Sequence, residues 1–117
     1  PTRDLTFVKD TANGFLEIYK TNELYGEFTN IGMNEEISIE ELVKLIAELM
    51  NVDIKIISDT SRVRPDKSEV ERLMCDNNKI LSNTNWQPAY NIRKGLLETI
   101  EFLKENISFY KSDIYNV

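Results

Sequence analysis

Between Arg62 and Glu69 an otherwise acidic chain gathers three cations, Arg62, Arg64 and Lys67, around Pro65, and follows them with the hydroxyl of Ser68 and the carboxylate of Glu69. These residue types suit a phosphorylated, hydroxyl-rich ligand. A guanidinium presents paired donors that match two phosphate oxygens, proline restricts the backbone beside it, and a carboxylate accepts hydrogen bonds from ribose or sugar hydroxyls. The same composition also describes a solvated charged loop without a ligand. Arg3, beside Asp4, is a second isolated arginine, standing ahead of an apolar run. Taken alone, it reads as one half of a surface ion pair.

Other chemistries are poorly supplied. The chain has no histidine, which removes imidazole catalysis and most zinc chemistry. Its four glycines, Gly14, Gly26, Gly32 and Gly95, are scattered, so there is neither a dinucleotide fingerprint nor a P-loop. Tyr19 and Lys20 are adjacent and cannot share one helix face as a tyrosine base and its lysine would. Tyr19 is expected in the core or at its rim. The acid pairs Glu35, Glu36 and Glu40, Glu41 lie at the start of a helix, where negative charge complements the dipole. Cys75, between Met74 and Asp76, has no cation beside it and is expected to be a buried structural thiol. No catalytic residue and no metal ligand is assigned.

With 117 residues the chain is one domain or part of one. A net charge of −6 without a basic block argues against nucleic acid or an anionic membrane as the main partner. One cysteine cannot form an internal disulfide, and no apolar run approaches a signal-peptide core or a membrane span. A reducing cytoplasm is the expected location. The chain opens Pro1, Thr2, Arg3 with no initiator Met, and is expected to be a piece of a longer protein.

The elements that must position these residues are short. Leu5–Val8 is apolar and β-branched enough for a strand, with Asp10 placed to cap a helix carrying Ala12, Phe15, Leu16 and Tyr19 on one face. Glu27–Ile31 and Asp53–Ser58 read as further strands. Ser38 and Glu41 form a capping-box pair ahead of Ile39, Leu42, Val43, Ile46, Leu49 and Met50 at helical spacing. A short helix is expected from Ser68 through Val70 and Leu73, broken at Asp76–Asn78, and another turn over Lys79–Leu81. Trp86 and Pro88 fall in an irregular linker, and Asn91 caps a helix with Ile92, Leu96, Ile100 and Leu103 on its face. After Asn106 the periodicity dissolves into a tail, 107–117.

Taken in order, the run Arg3–Asp10, then Asn30, Ile31, Gly32, then Arg64, Pro65 with Ser68, Glu69 and Val70, then Asp76 with Lys79, then Trp86, Pro88, Gly95 and Leu96 resembles the C-terminal part of an extended short-chain dehydrogenase/reductase. Within that superfamily it is most similar to the NAD-dependent nucleotide-sugar 4,6-dehydratases of the GDP-mannose or dTDP-glucose type, with the 4-epimerases as near relatives. The resemblance runs from Arg3 to about Leu103.

It implies an α/β fold, the substrate-binding part of a Rossmann-type enzyme over residues 1–106. The arginines matched by Arg3 and Arg64 would bracket the nucleotide diphosphate. Glu69, or Ser68 because Asp66 and Lys67 are extra relative to those relatives, would receive the ribose hydroxyls. Val8, Ile31 and Trp86 map onto core positions. NAD and the catalytic residues would belong to an N-terminal NAD-binding domain upstream of Pro1, leaving this piece with no chemistry of its own. The strand matched by Glu27–Ile31 would lie at the edge of that domain's sheet, so a bared edge and apolar faces make a homodimer or swapped assembly the expected state. A 4-epimerase, or a stand-alone binding or assembly module, are the alternatives.

Overall fold

The Ser38, Glu41 pair closes as the sequence predicts. The Ser38 hydroxyl accepts from the Glu41 N–H at 3.1 Å, and the Glu41 carboxylate accepts from the Ser38 N–H at 3.0 Å. Two amides that a helix start would leave orphaned are satisfied together. In the computed structural model, which describes residues 1–57 and 70–110, the elements run β1 (Thr2–Arg3), α1 (Val8–Tyr19), β2 (Ile37–Ser38), α2 (Ile39–Met50), α3 (Asn78–Asn83) and α4 (Ile92–Glu105), then a 3-10 turn at Ile107–Phe109. Asn51, in the left-handed region at φ 53°, stops α2. Asn91 starts α4 by accepting from the Lys94 N–H at 2.9 Å, the cap its sequence position predicts. The two helices pack together, with Arg93 donating to Glu48 across them.

The sheet is small. β1 pairs antiparallel with β2, Thr2 opposite Ser38 and Arg3 opposite Ile37, and on its other edge Thr2 bridges in parallel to Arg72. The core is organised around Trp86 and Ile80, both fully buried, with Leu24 and Ala47 beside them in burial. Trp86 donates its indole N–H to the Asp10 carbonyl at 2.9 Å. The Asp10 carboxylate, 2% exposed, accepts from the Ala89 and Tyr90 N–H groups, each at 3.0 Å. One residue in the first turn of α1 thereby ties down the irregular stretch that leads into α4.

Several expectations are corrected. Leu5–Val8 is not a strand: Val8 opens α1, and the Asp10 and Thr11 N–H groups close back onto the Phe7 carbonyl. Asp10 does not cap, because both its oxygens are used on Ala89 and Tyr90. Glu27–Ile31 and Asp53–Ile57 have no paired neighbour among the described residues and form no strand. Val70 and Leu73 are extended against Thr2, not helical; the backbone bonds to β1 outweigh weak local helix signals. The predicted turn at Lys79–Leu81 is α3, and Trp86–Pro88 is irregular as expected.

The largest correction concerns α1. Its predicted apolar face points outward, with Phe15 at 66%, Leu16 at 59% and Tyr19 at 80% exposure, while Asp10, Gly14 and Glu17 are buried. Gly14 allows this face to pack inward: a Cβ there would lie 2.7 Å from Ile31 Cδ1. Tyr19 is therefore neither core nor rim, and Val8, 69% exposed, is not core, whereas Trp86 is and Ile31 is half-buried.

The Asp10 clip makes a direct test of the fold. Asp10→Ala removes the acceptor of two part-buried backbone N–H groups and is expected to destabilise the chain by about 1–3 kcal/mol. In urea unfolding followed by Trp86 fluorescence, the midpoint should fall at unchanged slope, with Asp10→Asn intermediate because it keeps one acceptor.

Candidate functional site

β1 carries Arg3 into a three-way junction. The Arg3 guanidinium donates through Nη1 to the Thr2 carbonyl and to the Val70 carbonyl, both at 2.7 Å. Val70 is the residue directly after Glu69. The same edge of β1 is fixed by backbone bonds: Thr2 N–H donates to the Glu71 carbonyl at 2.7 Å, and Leu73 N–H to the Thr2 carbonyl at 3.2 Å. Arg3 thus stands at the point where the chain leaves the cation segment. Arg62, Arg64, Pro65, Lys67, Ser68 and Glu69, and the tail from 111 onward, lie outside the described residues.

Asp4, the neighbour of Arg3, is more than a surface counter-charge. Its carboxylate is part-buried and accepts from the Met33 N–H at 2.9 Å and the Cys75 N–H at 3.1 Å. Asn77 reinforces the junction by donating to the Gly32 carbonyl at 2.8 Å. The backbones of Gly32 and Cys75 approach so closely that a Cβ on residue 32 would lie 2.3 Å from Cys75 Cβ. Burial, with the Asp4 and Asp76 charges nearby, pushes the half-buried Cys75 thiol pKa up. The thiol expected to be buried is thus only half-buried; its raised pKa keeps it in the less reactive protonated form.

On the outer rim the Glu36 carboxylate accepts from Arg72 Nε at 2.7 and 2.9 Å and from the Thr2 hydroxyl at 3.2 Å. Neither Glu36 nor Arg72 stands out in the sequence as part of a site. They are 36 positions apart, and only the pairing of both flanking segments with Thr2 brings them together. Below the junction lies a cleft of about 560 Å³ lined by Asp4, Thr6, Phe15, Ile31, Leu73 and Cys75 among others. Thr29, on the same cleft, buries its hydroxyl oxygen without a hydrogen-bond partner.

The described helix starts are occupied by the chain's own groups. The N-termini of α2 and α4 are closed by the Ser38 and Asn91 side chains, and α1 is entered from Phe7 with the Asp10 carboxylate in its first turn. A pyrophosphate would need open amides and room for close backbone approach there. No group of His, Cys, Asp or Glu among the described residues is placed to hold a metal ion. Nor is any described helix long and apolar enough to cross a membrane.

Comparison with known proteins agrees with the order of motifs. The family model for GDP-mannose 4,6 dehydratase matches residues 1–99. A probable GDP-L-fucose synthase 1 from Oryza sativa subsp. japonica is 31% identical over 108 residues, covering 92% of this chain and 31% of that protein. Among solved structures, the epimerase Mth375 from Methanothermobacter thermautotrophicus superposes with a TM-score of 0.82 at 29% identity, covering 92% of this chain and 31% of the other. The Bordetella bronchiseptica enzyme WbmF, solved in complex with NAD+ and UDP, gives 0.74 at 25% identity, covering 93% and 31%. The chain spans about a third of the length of the relatives it matches.

The rim pair has a pH signature. The hydrogen bond from Arg72 is the largest influence on the Glu36 pKa; burial opposes it, and the Thr2 hydrogen bond and the Arg72 charge add to it, so the pKa lies below its ordinary value. A depressed folded pKa contributes stability that is present above the unfolded value, about 4.3, and is lost as pH falls through the folded value. Amide exchange at Thr2 and Leu73, corrected for intrinsic rates, is expected to lose protection as pH falls from about 6 to about 3. Glu36→Gln should shrink that pH step; an unchanged step would show that Glu36 does not hold this edge.

Proposed function

The chain belongs to the GDP-mannose 4,6-dehydratase family of NAD-dependent nucleotide-sugar dehydratases, epimerases and reductases, and we propose that it forms the wall that grips the nucleotide diphosphate in a 4,6-dehydratase. The observation that carries this reading is the Arg3 guanidinium on the Val70 carbonyl. It joins two arginine-bearing segments that lie far apart in sequence. Arg3 from one side and Arg64 from the other would bracket the pyrophosphate, and Glu69 or Ser68 would hold the ribose. In an acidic chain these guanidiniums neutralise ligand charge locally and orient the sugar without taking part in bond making.

The substrate-binding part would comprise residues 1–106, with 107–117 as a tail. NAD would be held by the part of the relatives' length that this chain does not span. That part would dock on the exposed ridge of Phe15, Leu16 and Tyr19 and on the cleft beside Thr29. Both features are what remains when a neighbouring layer is removed: apolar area facing water, and a buried hydroxyl lacking its partner. On the chain by itself, a second copy would cover the same ridge as a homodimer or swapped assembly.

A second reading, a nucleotide-sugar 4-epimerase, is favoured by the likeness to the methanogen epimerase. Both readings need the same diphosphate grip. They part in the product formed by the protein joined to its NAD-binding part: a 4-keto-6-deoxy sugar for the dehydratase, a C4 epimer for the other.

Two measurements test these proposals. GDP-mannose, dTDP-glucose and UDP-glucose titrated into the chain should show at least one saturable ligand. Arg3→Ala and Arg64→Ala should each weaken it by about tenfold or more, the loss of a charge-assisted hydrogen bond. If neither substitution changes affinity, the diphosphate reading fails. Light scattering is expected to give twice the chain mass; a strict monomer across a wide concentration range would overturn self-association.

A further inference from the structure

We propose that Glu36 and Arg72 form a latch, a pair of positioning residues that holds the segment Val70–Leu73 against β1 and so keeps Arg3 in register for a diphosphate. The inference rests on the diphosphate reading above and adds residues that lie outside the grip itself. Its basis is the order of three short segments. β1 lies in the middle, with β2 on one edge and Val70–Leu73 on the other, so the two outer segments share no backbone hydrogen bond. A ladder of two residues is marginal on its own, and side-chain pairs across it supply what the backbone cannot.

Glu36 directly precedes β2, and its carboxylate reaches over β1 to Arg72 on the far segment, taking the Thr2 hydroxyl in passing at 3.2 Å. Two residues before Arg72, the Val70 carbonyl receives Arg3 Nη1 at 2.7 Å. Release of Arg72 would therefore free the segment on which Arg3 rests. The Arg72 side chain is 68% exposed and that of Glu36 26%. The latch is consequently weak and screened by salt, a device for alignment more than for stability.

The test combines exchange with binding. Arg72→Gln and Glu36→Gln should each speed amide exchange at Thr2 and Leu73 in the absence of any ligand, while Trp86 fluorescence and the main unfolding midpoint stay in place. The charge exchange Glu36→Arg with Arg72→Glu should restore protection. With GDP as probe and guanosine as control, Arg72→Gln should weaken GDP binding by about three- to fivefold at low salt, an effect that shrinks at about 0.5 M salt. In an Arg3→Ala background the same substitution should add nothing, an outcome that general loosening of the structure would not produce. Unchanged exchange, failure of the charge exchange to restore it, or an undiminished effect without Arg3 each overturns the latch. Absence of GDP binding to the unsubstituted chain would sink the diphosphate reading and the affinity claim, while the exchange rates still judge the latch itself.

Discussion

A buried carboxylate that spends both oxygens on backbone amides is the constraint on which the rest of this chain depends. Asp10 sits in the first turn of α1, yet it acts on Ala89 and Tyr90, nearly 80 residues further along. Those two N–H groups belong to an irregular stretch with no helix or strand to satisfy them, and leaving them unpaired beside a buried side chain would be costly. By accepting both, Asp10 sets where Trp86 enters the core and where α4 begins. Tyr90, so placed, lies against Phe7 with ring centroids 4.5 Å apart, and Lys94 lies over its face at 4.0 Å. The first turn of α1 and the approach to α4 are thus one polar and aromatic unit.

Asp4 repeats the device six residues earlier. Its oxygens take the amides of Met33 and Cys75, drawing two loops to the base of β1, while Arg3 reaches the Val70 carbonyl. Short elements are held here by side-chain to backbone bonds, where a larger sheet would rely on its own ladder. The Arg3 guanidinium is held by the Thr2 and Val70 carbonyls; on the proposed reading, that preset orientation would lower the ordering cost of binding.

What was legible in the sequence follows the range of the interaction. The starts of α2 and α4 are written within four residues, in Ser38 with Glu41 and in Asn91, and both form as read. Alternation and apolar runs named faces correctly but not what covers them: the Phe15, Leu16, Tyr19 ridge is apolar as read and lies in water. Leu5–Val8 has strand composition, but Asp10 bonds over long distance and draws Val8 into a helix. The order of family motifs carried the family and its α/β fold. Glu36 and Arg72, joined only through their shared neighbour Thr2, left no local mark from which their pairing could be read.

The contact between Gly32 and Cys75 bears on how this protein can vary. A methyl carbon at position 32 meets the Cβ of residue 75 at 2.3 Å, before it meets the sulfur at 2.5 Å. Every residue but glycine carries that Cβ, so exchanging Cys75 for alanine or serine relieves nothing. In descent, then, the two positions are unequal partners: the thiol is free to drift among small side chains, while the glycine opposite it is bound by a carbon that nearly every replacement retains.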